Sequence, residues 1–437
     1  MQNNTSKPFY NTTIPNDWES FELKDISEKI MVGIASAATH AYSDSGIILF
    51  RNQNIKDGFL DDSDILFINK EYEKAHRNKR LVGGDILIAR TGYPGTACLV
   101  PDKYVGAQSF TTLIARPNHN LVNKEYLCFY INSDIGQGYF ETNQIGGGQK
   151  NVNAGTLEFM PIPLPPLPEQ RAIAHVLGLM DAAINKNNQL IAQKELQKKW
   201  LMQNLLTGKK RLNQDLQDGR INRIGSKDYP ENSVNPVNSD SDSWKEVHIR
   251  NIAKEVSIRN KSDKQLTVLS CTKYDGLVES LEYWGRKIFA DDISTYKVVP
   301  KNHFAYATNH IEEGSIGYQD SFDEALISPM YTVFKTDATV NDDFFYRLLK
   351  SHLLIYQYQN RMEGSIDRRG GLRWEAFSII KIHLPSLSEQ TAIAKVLQAA
   401  DKELQLLKAK TEKLREQKKG MMQVLLTGKK RLKIEYE

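Results

Sequence analysis

Apolar residues recur at helical spacing over two long stretches of the chain. In the stretch from Glu389 to Leu426 there is no proline, and Gly420 is its one glycine. The stripe follows a heptad pattern with a break at Lys418, and its positions are Leu397, Leu404, Thr411 and Leu425, with Ala400, Leu407, Leu414 and Met421. This spacing predicts an amphipathic helix of about 38 residues, roughly 55 Å long.

The other stretch carries a poorer version of the same pattern. Its apolar positions are Leu177, Ile184, Ile191 and Leu205, with Met180 and Leu201, and they are interrupted by Asn187 and Lys194. Start and stop signals agree in both stretches. Ser386 and Glu389 form a capping-box pattern, the prolines of Leu164–Pro168 cannot continue a helix backwards, and Gly208 and Gly428 suit the position after a helix end.

The two stretches are copies of one another. Leu164–Leu177 matches Leu384–Leu397, and Leu205–Leu212 is identical to Leu425–Leu432, both at an offset of 220 positions. Because one such helix cannot bury its stripe alone, we expect the two to pack together, antiparallel, as a coiled coil with pseudo-twofold symmetry. Residues 164–212 and 384–437 are thus two helical spacers, and residues 213–243, polar and rich in Asn, Asp, Ser, Gly and Pro, read as a flexible linker.

The remaining segments, 1–163 and 244–383, have the patterns of mixed α/β domains, so the fold class is α+β. Short β-branched runs predict strands, and apolar spacing predicts helices at Lys124–Ser133 and Asp342–Arg361. The predicted strands are Ile47–Phe50, Ile86–Ala89, Thr111–Ile114, Leu266–Leu269 and Tyr331–Phe334.

Composition narrows the class of protein. The net charge of +4 permits a nucleic-acid partner without requiring one. Three widely separated cysteines favour reduced thiols over a disulfide framework or a zinc site. We expect no signal peptide and no membrane span, hence a cytoplasmic protein.

Gly-rich polar loops are the candidate binding elements. Glycine lets backbone approach a ligand closely, and Arg, Lys, Asn and Gln read base edges and phosphates. A single loop of this kind is equally a solvated turn, but one recurs in each half just before the strand that leads into the long helix. The candidate DNA-binding residues are Arg90, Thr91, Tyr93, Gln149, Lys150 and Asn151 in the first half, and Asn309, Arg368, Arg369 and Arg373 in the second.

Catalytic signatures are missing from the sequence. Thr207-Gly-Lys-Lys lacks the upstream glycine of a phosphate-binding loop, and Asn235-Pro-Val is not the element with which adenine methyltransferases hold a flipped base. The histidines lack metal-ligand spacing. We therefore predict no catalytic residue and no metal site in this chain.

The repeated signature resembles a known family. Leu164-Pro-Pro-Leu-Pro-Glu-Gln170 and its copy Leu384–Gln390, each followed by a long helix that ends in Leu-Leu-Thr-Gly, are similar to the specificity subunit of type I restriction-modification systems. The resemblance covers the whole chain. It implies that 1–163 and 244–383 are two target-recognition domains, each reading one half of an asymmetric interrupted site in double-stranded DNA.

The resemblance also implies partners. Two methyltransferase subunits that use S-adenosylmethionine would dock on the helical region, and restriction subunits that use ATP and Mg²⁺ would join for cleavage. This chain would bind no cofactor itself. The helical residues assigned to the spacer and to docking are Glu169, Gln170, Ile173 and Leu177, with Glu389, Gln390, Ile393 and Leu397.

Two other functions stay open at this point. One is a nuclease or methyltransferase that acts alone, against which the missing motifs argue. The other is a scaffold that binds no DNA, which would lack the steep dependence of binding on salt that phosphate contacts produce.

Overall fold

The computed structural model describes residues 5–36, 38–143, 151–212, 244–261, 264–362 and 371–432. They belong to two units: unit 1 is Met1–Gln189 with Lys408–Glu437, and unit 2 is Leu190–Leu407. The linker predicted at 213–243 lies outside the described residues. The domain boundaries drawn from the sequence stay predictions. Below, "head 1" means residues 5–164 and "head 2" means residues 244–384.

Head 1 is built from short strands and short helices and leads into a long helix. Its strands are β1 Ser6–Phe9, β2 Thr12–Pro15, β3 Glu19–Glu22, β4 Ser27–Val32, β5 Tyr42–Ser43, β6 Ile47–Phe50, β7 Ile55–Lys56, β8 Phe59–Leu60, β9 Leu66–Ile68, β10 Ile86–Ile88, β11 Ala97–Leu99, β12 Gln108–Ser109, β13 Leu113–Pro117 and β14 Pro161–Leu164. Its helices are α1 Lys70–Ala75, α2 Lys124–Asn132, α3 Asp134–Thr142 and α4 Ala154–Glu158, followed by the long α5 Leu167–Leu205. Single 3-10 turns lie at Leu23–Ile26, Thr39–Ala41, Asn52–Asn54, Arg77–Lys79 and Asp102–Tyr104.

Head 2 follows the same plan with fewer strands. Its strands are β15 Lys245–His248, β16 Ala253–Glu255, β17 Leu269–Thr272, β18 Gly276–Glu279, β19 Lys297–Pro300, β20 His303–Ala307, β21 Ile316–Gln319, β22 Glu324–Ile327, β23 Tyr331–Thr336 and β24 Lys381–Leu384. Its helices are α6 Ser280–Trp284, α7 Asp342–Leu349, α8 His352–Gln359 and α9 Trp374–Ser378, followed by the long α10 Leu387–Leu425. Its 3-10 turns are Ile249–Asn251 and Ile311–Glu313.

Both heads contain the same central sheet. In head 1 the strand order is β11-β10-β13-β4, and in head 2 it is β21-β20-β23-β16, so each strand has its counterpart in the same place. In both, all neighbours pair antiparallel. A two-stranded ribbon, β3 with β14 or β15 with β24, then joins the start of each head to the strand that precedes its long helix.

The heads differ in their other strands. Head 1 has a second four-stranded sheet, β12-β6-β9-β5, in which β12 and β6 are parallel. Head 2 instead has two separate pairs, β17 with β18 and β19 with β22. The shared sheet forms the scaffold of both heads, whereas the strands that differ can give the two heads different surfaces.

The long helices have the predicted length and direction. Each is 39 residues long, and their bounds differ by the offset of 220 seen in the sequence. In unit 1 the ion pair between Lys418 and Asp181 is 2.7 Å, and Arg415 lies 3.4 Å from Asn188. Residue numbers rise along α5 where they fall along α10, so the two segments run antiparallel. In unit 2 the pairs Lys194 with Glu403 and Lys198 with Asp401 show the same direction. The α+β class with antiparallel helices is confirmed.

The end of each long helix completes the core of the head in its own unit. Leu425 and Leu426 are buried with Trp18, Tyr126 and Ile173 in unit 1. Burial of each leucine side chain stabilises the unit by about 1.5–3 kcal/mol. In unit 2 the identical Leu205–Leu206 pair packs with Ile249 and Phe344 in the corresponding way.

Three predicted elements are wrong in detail. The strand expected at Thr111–Ile114 begins only at Leu113, since Thr111 lies in a turn with a φ of 54°. The strand expected at Leu266–Leu269 begins only at Leu269, because the preceding residues do not pair as a regular strand. The single helix expected at Asp342–Arg361 is two helices, since Lys350 ends α7 and the Ser351 hydroxyl accepts a hydrogen bond from Leu354 N to start α8.

No helix in the described part of the chain combines the length and the apolar character needed to cross a bilayer.

Candidate nucleic-acid interface

In head 1 the two predicted loops meet through Arg90. Val152 N donates to Arg90 O over 3.3 Å, and the Arg90 Nε donates to Val152 O over 3.2 Å. Arg90 N also donates to Asn52 Oδ1 over 2.7 Å. The half-buried Arg90 side chain therefore braces the loop pair through its Nε, and the described residues show no hydrogen bond from its other guanidinium N–H groups.

The loop after Arg90 is a tight turn that displays Tyr93. Gly92 and Gly95 have φ of 80° and 93°, which only glycine adopts without strain. Gly95 N donates to Ala89 O, and Thr96 N donates to Tyr93 O. Thr91 is half-buried, whereas the Tyr93 side chain is 83% exposed. The turn is thus fixed by its backbone while its tip faces outward.

The second loop of head 1 is described from Asn151 onward. Asn151 is half-buried, and its Oδ1 is buried without a hydrogen-bond partner among the described residues. Gln149 and Lys150, also predicted to bind DNA, lie outside those residues.

Head 2 brings the corresponding loops together by the same backbone bond. Leu372 N donates to Thr308 O over 2.8 Å, and Leu372 lies 220 positions after Val152. The Thr308 hydroxyl donates to Met330 O, which ties in the β22–β23 turn as well. Asn309 follows in the loop and is half-buried, and exposed Arg373 precedes α9. Arg368 and Arg369 lie outside the described residues.

Sequence reasoning missed two polar residues that belong to this site in head 1. Asn52 comes from the 3-10 turn after β6, and its Nδ2 lies 3.3 Å from the hydroxyl of Thr111. Thr111 has φ of 54°, which is strained for a β-branched residue and marks a fixed turn. The polar run Asn52-Gln53-Asn54 directly after a strand was the available signal.

One cluster beside Asn309 could in principle share a cation. Among the described residues, His310, Glu312 and Glu313 bring ligand atoms within 4.8 Å of one another. His310 and Glu313 are exposed, and their Nδ1 and Oε1 atoms are 3.4 Å apart. A contact between these two exposed side chains accounts for this arrangement without an ion.

The helical residues chosen from the sequence are buried within their own units. Glu169, Gln170, Ile173 and Leu177 are at most 2% exposed, and Glu389, Gln390, Ile393 and Leu397 at most 6%. The structure therefore gives them an internal packing role in the spacer. Their predicted part in partner docking stays a prediction.

Glu169 and Glu389 hold matching arginines. In unit 1 Arg431 Nε and its terminal nitrogen donate to the two carboxylate oxygens of Glu169 over 2.5 and 2.7 Å. In unit 2 Arg211 does the same to Glu389 over 2.6 and 2.7 Å. These bidentate pairs fix the end of one long helix to the start of the other.

Gln170 and Gln390 connect each helix start to its head. The Gln170 Oε1 accepts from Asn123 N over 2.7 Å, and its Nε2 donates to Pro165 O. Gln390 repeats this with Asn341 N and Pro385 O. Asn123 and Asn341 in turn cap helices α2 and α7. The position of the heads on their helices is thereby set by satisfied, buried polar groups.

The ion pairs deeper along the helices differ between the units. In unit 1 Asp181 pairs with Lys418, whose Nζ lies 5.2 Å from the ring centre of Phe129. In unit 2 Asp401 pairs both with Lys198 and with Arg347 of head 2, over 2.5 and 2.6 Å. Burial acts to raise the pKa of Asp401, but its hydrogen bonds from Lys198 and Arg347 outweigh that effect and lower the pKa.

Comparison with known proteins agrees with this architecture. The family model for the type I restriction modification DNA specificity domain matches residues 15–196 and again 242–416. A protein of Methanocaldococcus jannaschii assigned as the MjaX type I restriction enzyme specificity subunit is 26% identical, covering 96% of this chain and 95% of its own. The MjaVIII specificity subunit of the same organism is 23% identical, covering 98% and 96%.

Solved structures share the fold. A chain from a study of complex assembly and conformational transition of the type I R-M system matches with a TM-score of 0.55 and 15% identity, covering 96% of this chain and 100% of that one. The type I restriction-modification S subunit from M. genitalium matches with a TM-score of 0.53 and 14% identity, covering 96% and 98%. The two family matches together span most of the sequence, and the chain therefore belongs to the type I restriction-modification DNA specificity family.

Proposed function

We propose that this chain is the DNA sequence-specificity subunit of a type I restriction-modification complex. Each head binds one half of an asymmetric bipartite site in double-stranded DNA, and the long helices set the distance between the half-sites. The chain is itself non-catalytic and acts in the cytoplasm. Its task is to select the sequence on which partner subunits act.

The observation that carries this proposal is the matching loop pair of the two heads. One backbone hydrogen bond in each head holds two polar loops together, from Val152 N to Arg90 O in head 1 and from Leu372 N to Thr308 O in head 2. In both heads the loops lie at the corresponding point of the central sheet. Around this shared frame the side chains differ, with Arg90 and Thr91 in one head and Thr308 and Asn309 in the other. Two similar frames with unlike side chains suit two different half-sites.

Partner subunits supply the chemistry in this proposal. Two methyltransferase subunits dock on exposed faces of the helices and methylate adenine with S-adenosylmethionine. Two restriction subunits, which use ATP and Mg²⁺, join through them. The mildly basic net charge of +4 fits a subunit that contributes only part of the phosphate-binding surface.

Methylome sequencing of a host with and without this chain tests the proposal. We expect adenine methylation at one recurrent bipartite sequence that disappears when the chain is deleted. Reconstitution of the purified chain with its methyltransferase subunit should restore methylation at that sequence. Methylation that is unchanged by the deletion, or methyl transfer by the purified chain without partners, would contradict it.

A further inference from the structure

Two tyrosines stand out by their exposure. Among the exposed aromatic side chains of the described residues, Tyr93 at 83% and Tyr274 at 80% are the most exposed. Each lies in the loop region of its own head. Rings this exposed bury little apolar surface within the fold, and their faces are accessible to a binding partner.

The backbone beneath Tyr274 is fixed. Tyr274 lies in the tight turn between β17 and β18, where Asp275 N donates to the Thr272 hydroxyl over 2.9 Å. Gly276 closes the turn with φ of 71°, and a Cβ added there would lie 2.5 Å from the Tyr346 hydroxyl. Lys350 Nζ lies 3.4 Å from Tyr274 O. The ring is therefore presented by a rigid turn, which reduces the entropy lost on binding.

This turn lies beside the candidate loops of head 2. A Cβ added to Gly314 would lie 3.8 Å from Lys273 O, so the turn approaches the loop that carries Asn309. That loop begins at Thr308, which is bonded to Leu372. On the other side of the turn, a Cβ added to Gly317 near the start of β21 would overlap Leu277 N, so β18 lies directly against β21. Tyr274 thus adjoins the loop pair that the proposed function assigns to DNA.

Positive charge accompanies the ring. The Lys273 ammonium lies 5.4 Å from the centre of the Tyr274 ring. The flexible Lys273 ammonium can pair with a backbone phosphate, while the adjacent Tyr274 ring can contact an apolar surface. A base offers such a face at every step, and aromatic wedges at base steps are a recurring mode of duplex recognition.

The two tyrosines occupy different places in their heads. Tyr93 lies between β10 and β11 of the shared central sheet, whereas Tyr274 lies on the β17–β18 pair outside that sheet. The two rings therefore lie at different positions relative to the loop pair that both heads share. This difference lets two similar heads probe different steps of their half-sites.

We infer that Tyr274 and Tyr93 are specificity-determining wedges whose rings stack against a base step of duplex DNA, one in each half-site. The inference rests on the proposed function, because it assumes that each head faces DNA. It assigns the binding contribution to the ring rather than to the hydroxyl. It also adds Tyr274, on a turn outside the Gly-rich loops, to the residues that determine the second half-site.

The test uses the complex of the full chain with its methyltransferase subunit and the bipartite DNA found by methylome sequencing. 2-Aminopurine is placed at successive positions of each half-site, leaving out the adenine that is methylated, since the methyltransferase itself flips that base. We expect a rise in fluorescence at one step of each half-site. Tyr274→Ala should remove the rise in the second head's half-site and weaken binding about 10-fold. Tyr93→Ala should do so only in the other half-site.

Phenylalanine variants at both positions separate the ring from the hydroxyl. Tyr274→Phe and Tyr93→Phe should keep the fluorescence signal and bind within about 2-fold of wild type. Since both rings are exposed, thermal unfolding should be unchanged in all four variants, which excludes misfolding as a cause.

Three results would overturn the inference: no base position that responds in the wild-type complex, Phe variants as damaged as the Ala variants, or equal loss at both half-sites from a single substitution. Failure of the proposed function looks different, because the wild-type complex would then methylate no bipartite site at all. Wild-type methylation together with full activity of Tyr274→Ala would refute the wedge and leave the proposed function in place.

Discussion

Arg431, close to the end of the chain, is bound through two hydrogen bonds to Glu169 at the start of the first long helix. The carboxylate is 2% exposed, and the same arginine also contacts Asp17 and lies over the ring of Trp18. Residues more than 250 positions apart in sequence therefore close one core. The matching pair of Arg211 with Glu389 shows that the repeat preserves contacts as well as sequence.

Removing one partner of this pair should destabilise unit 1. Arg431→Ala leaves the buried Glu169 carboxylate without its counterion, and such a loss costs about 3–5 kcal/mol in a buried pair. We expect faster amide hydrogen exchange in β3 and at the start of α5, measured by mass spectrometry. Arg415→Ala is the control, since Arg415 is exposed and its change should stay within about 0.5 kcal/mol. Equal exchange in both variants would show that the pair contributes nothing.

The sequence predicted the two long helices well, because an eight-residue identity and a heptad pattern of apolar residues are local signals. The contact between Arg431 and Glu169 was not predicted, since nothing near Arg431 in sequence indicates that it binds Glu169. The heads were harder still. Their central sheet pairs β4 with β13 across 80 residues and more, and strand order is decided by long-range packing that short apolar runs do not encode.

The same distinction holds for the candidate site. Arg90, Asn309 and Arg373 could be proposed from loop composition, and the loops that hold them do meet. Tyr274 could not be proposed in that way, and for Asn52 the polar run Asn52-Gln53-Asn54 was a signal that went unused. The closeness of both turns to the loops depends on the fold. Whether these residues contact DNA stays a prediction.

A glycine in head 1 offers a selective test of the loop pair. In Gly95→Ala the new Cβ would lie 2.4 Å from a ring carbon of Phe140, in a backbone with φ of 93°. The turn that carries Tyr93 must shift, so recognition of the first head's half-site should fall while the other half-site is still read. Methylation of DNA with single half-site substitutions measures this.

The matched control is Gly138→Ala in helix α3. Nothing lies within 4 Å of its Cβ position, and alanine favours a helix over glycine by roughly 0.5–1 kcal/mol. That variant should methylate normally and unfold at an equal or higher temperature. Loss of both half-sites in Gly95→Ala would point to general misfolding instead of a local change.

Acid should release Asp401 from its partners in unit 2. The pKa of Asp401 is lowered from the ordinary value of 3.8. A lowered pKa means that its ionised form contributes stability at and above the ordinary value, and that this contribution is lost as the pH falls through the lowered one. Asp401→Asn should therefore be less stable than wild type at pH 7, and the difference should shrink below about pH 4.

Hydrogen exchange in α7, which carries Arg347, measures this difference at several pH values. Asp181→Asn is the comparison in unit 1. Asp181 pairs with Lys418, and the head residue that contacts this lysine is Phe129. A difference for Asp401→Asn that stays constant from pH 7 to pH 3 would contradict the assignment.

The cysteines should resist alkylation in the folded chain. Burial raises the pKa of the Cys98 thiol from 9.0 to about 12, and it raises that of Cys128 well above its ordinary value. Because the thiolate is the reactive form, labelling with iodoacetamide at pH 8 should be slower by roughly 1,000-fold than for a free thiol. Burial also raises the pKa of Cys271 to about 12, but this side chain is half-buried, so its labelling should be slowed less than that of Cys98 and Cys128. All three should react in guanidinium, and rapid labelling of native Cys98 would refute the assigned burial.

The length of the long helices should set the spacing of the half-sites. Deleting one heptad from the middle of both α5 and α10 preserves the apolar stripe and shortens each helix by roughly 10 Å. At about 3.4 Å per base pair, the unread spacer should shorten by roughly three base pairs while both half-sites keep their sequences. Deleting two residues from each instead rotates the apolar stripe by about 200° and should destabilise the packing of the two helices. Methylome sequencing of hosts that carry each variant reads out the site, and an altered half-site in the heptad deletion would contradict the role of the helices as a spacer.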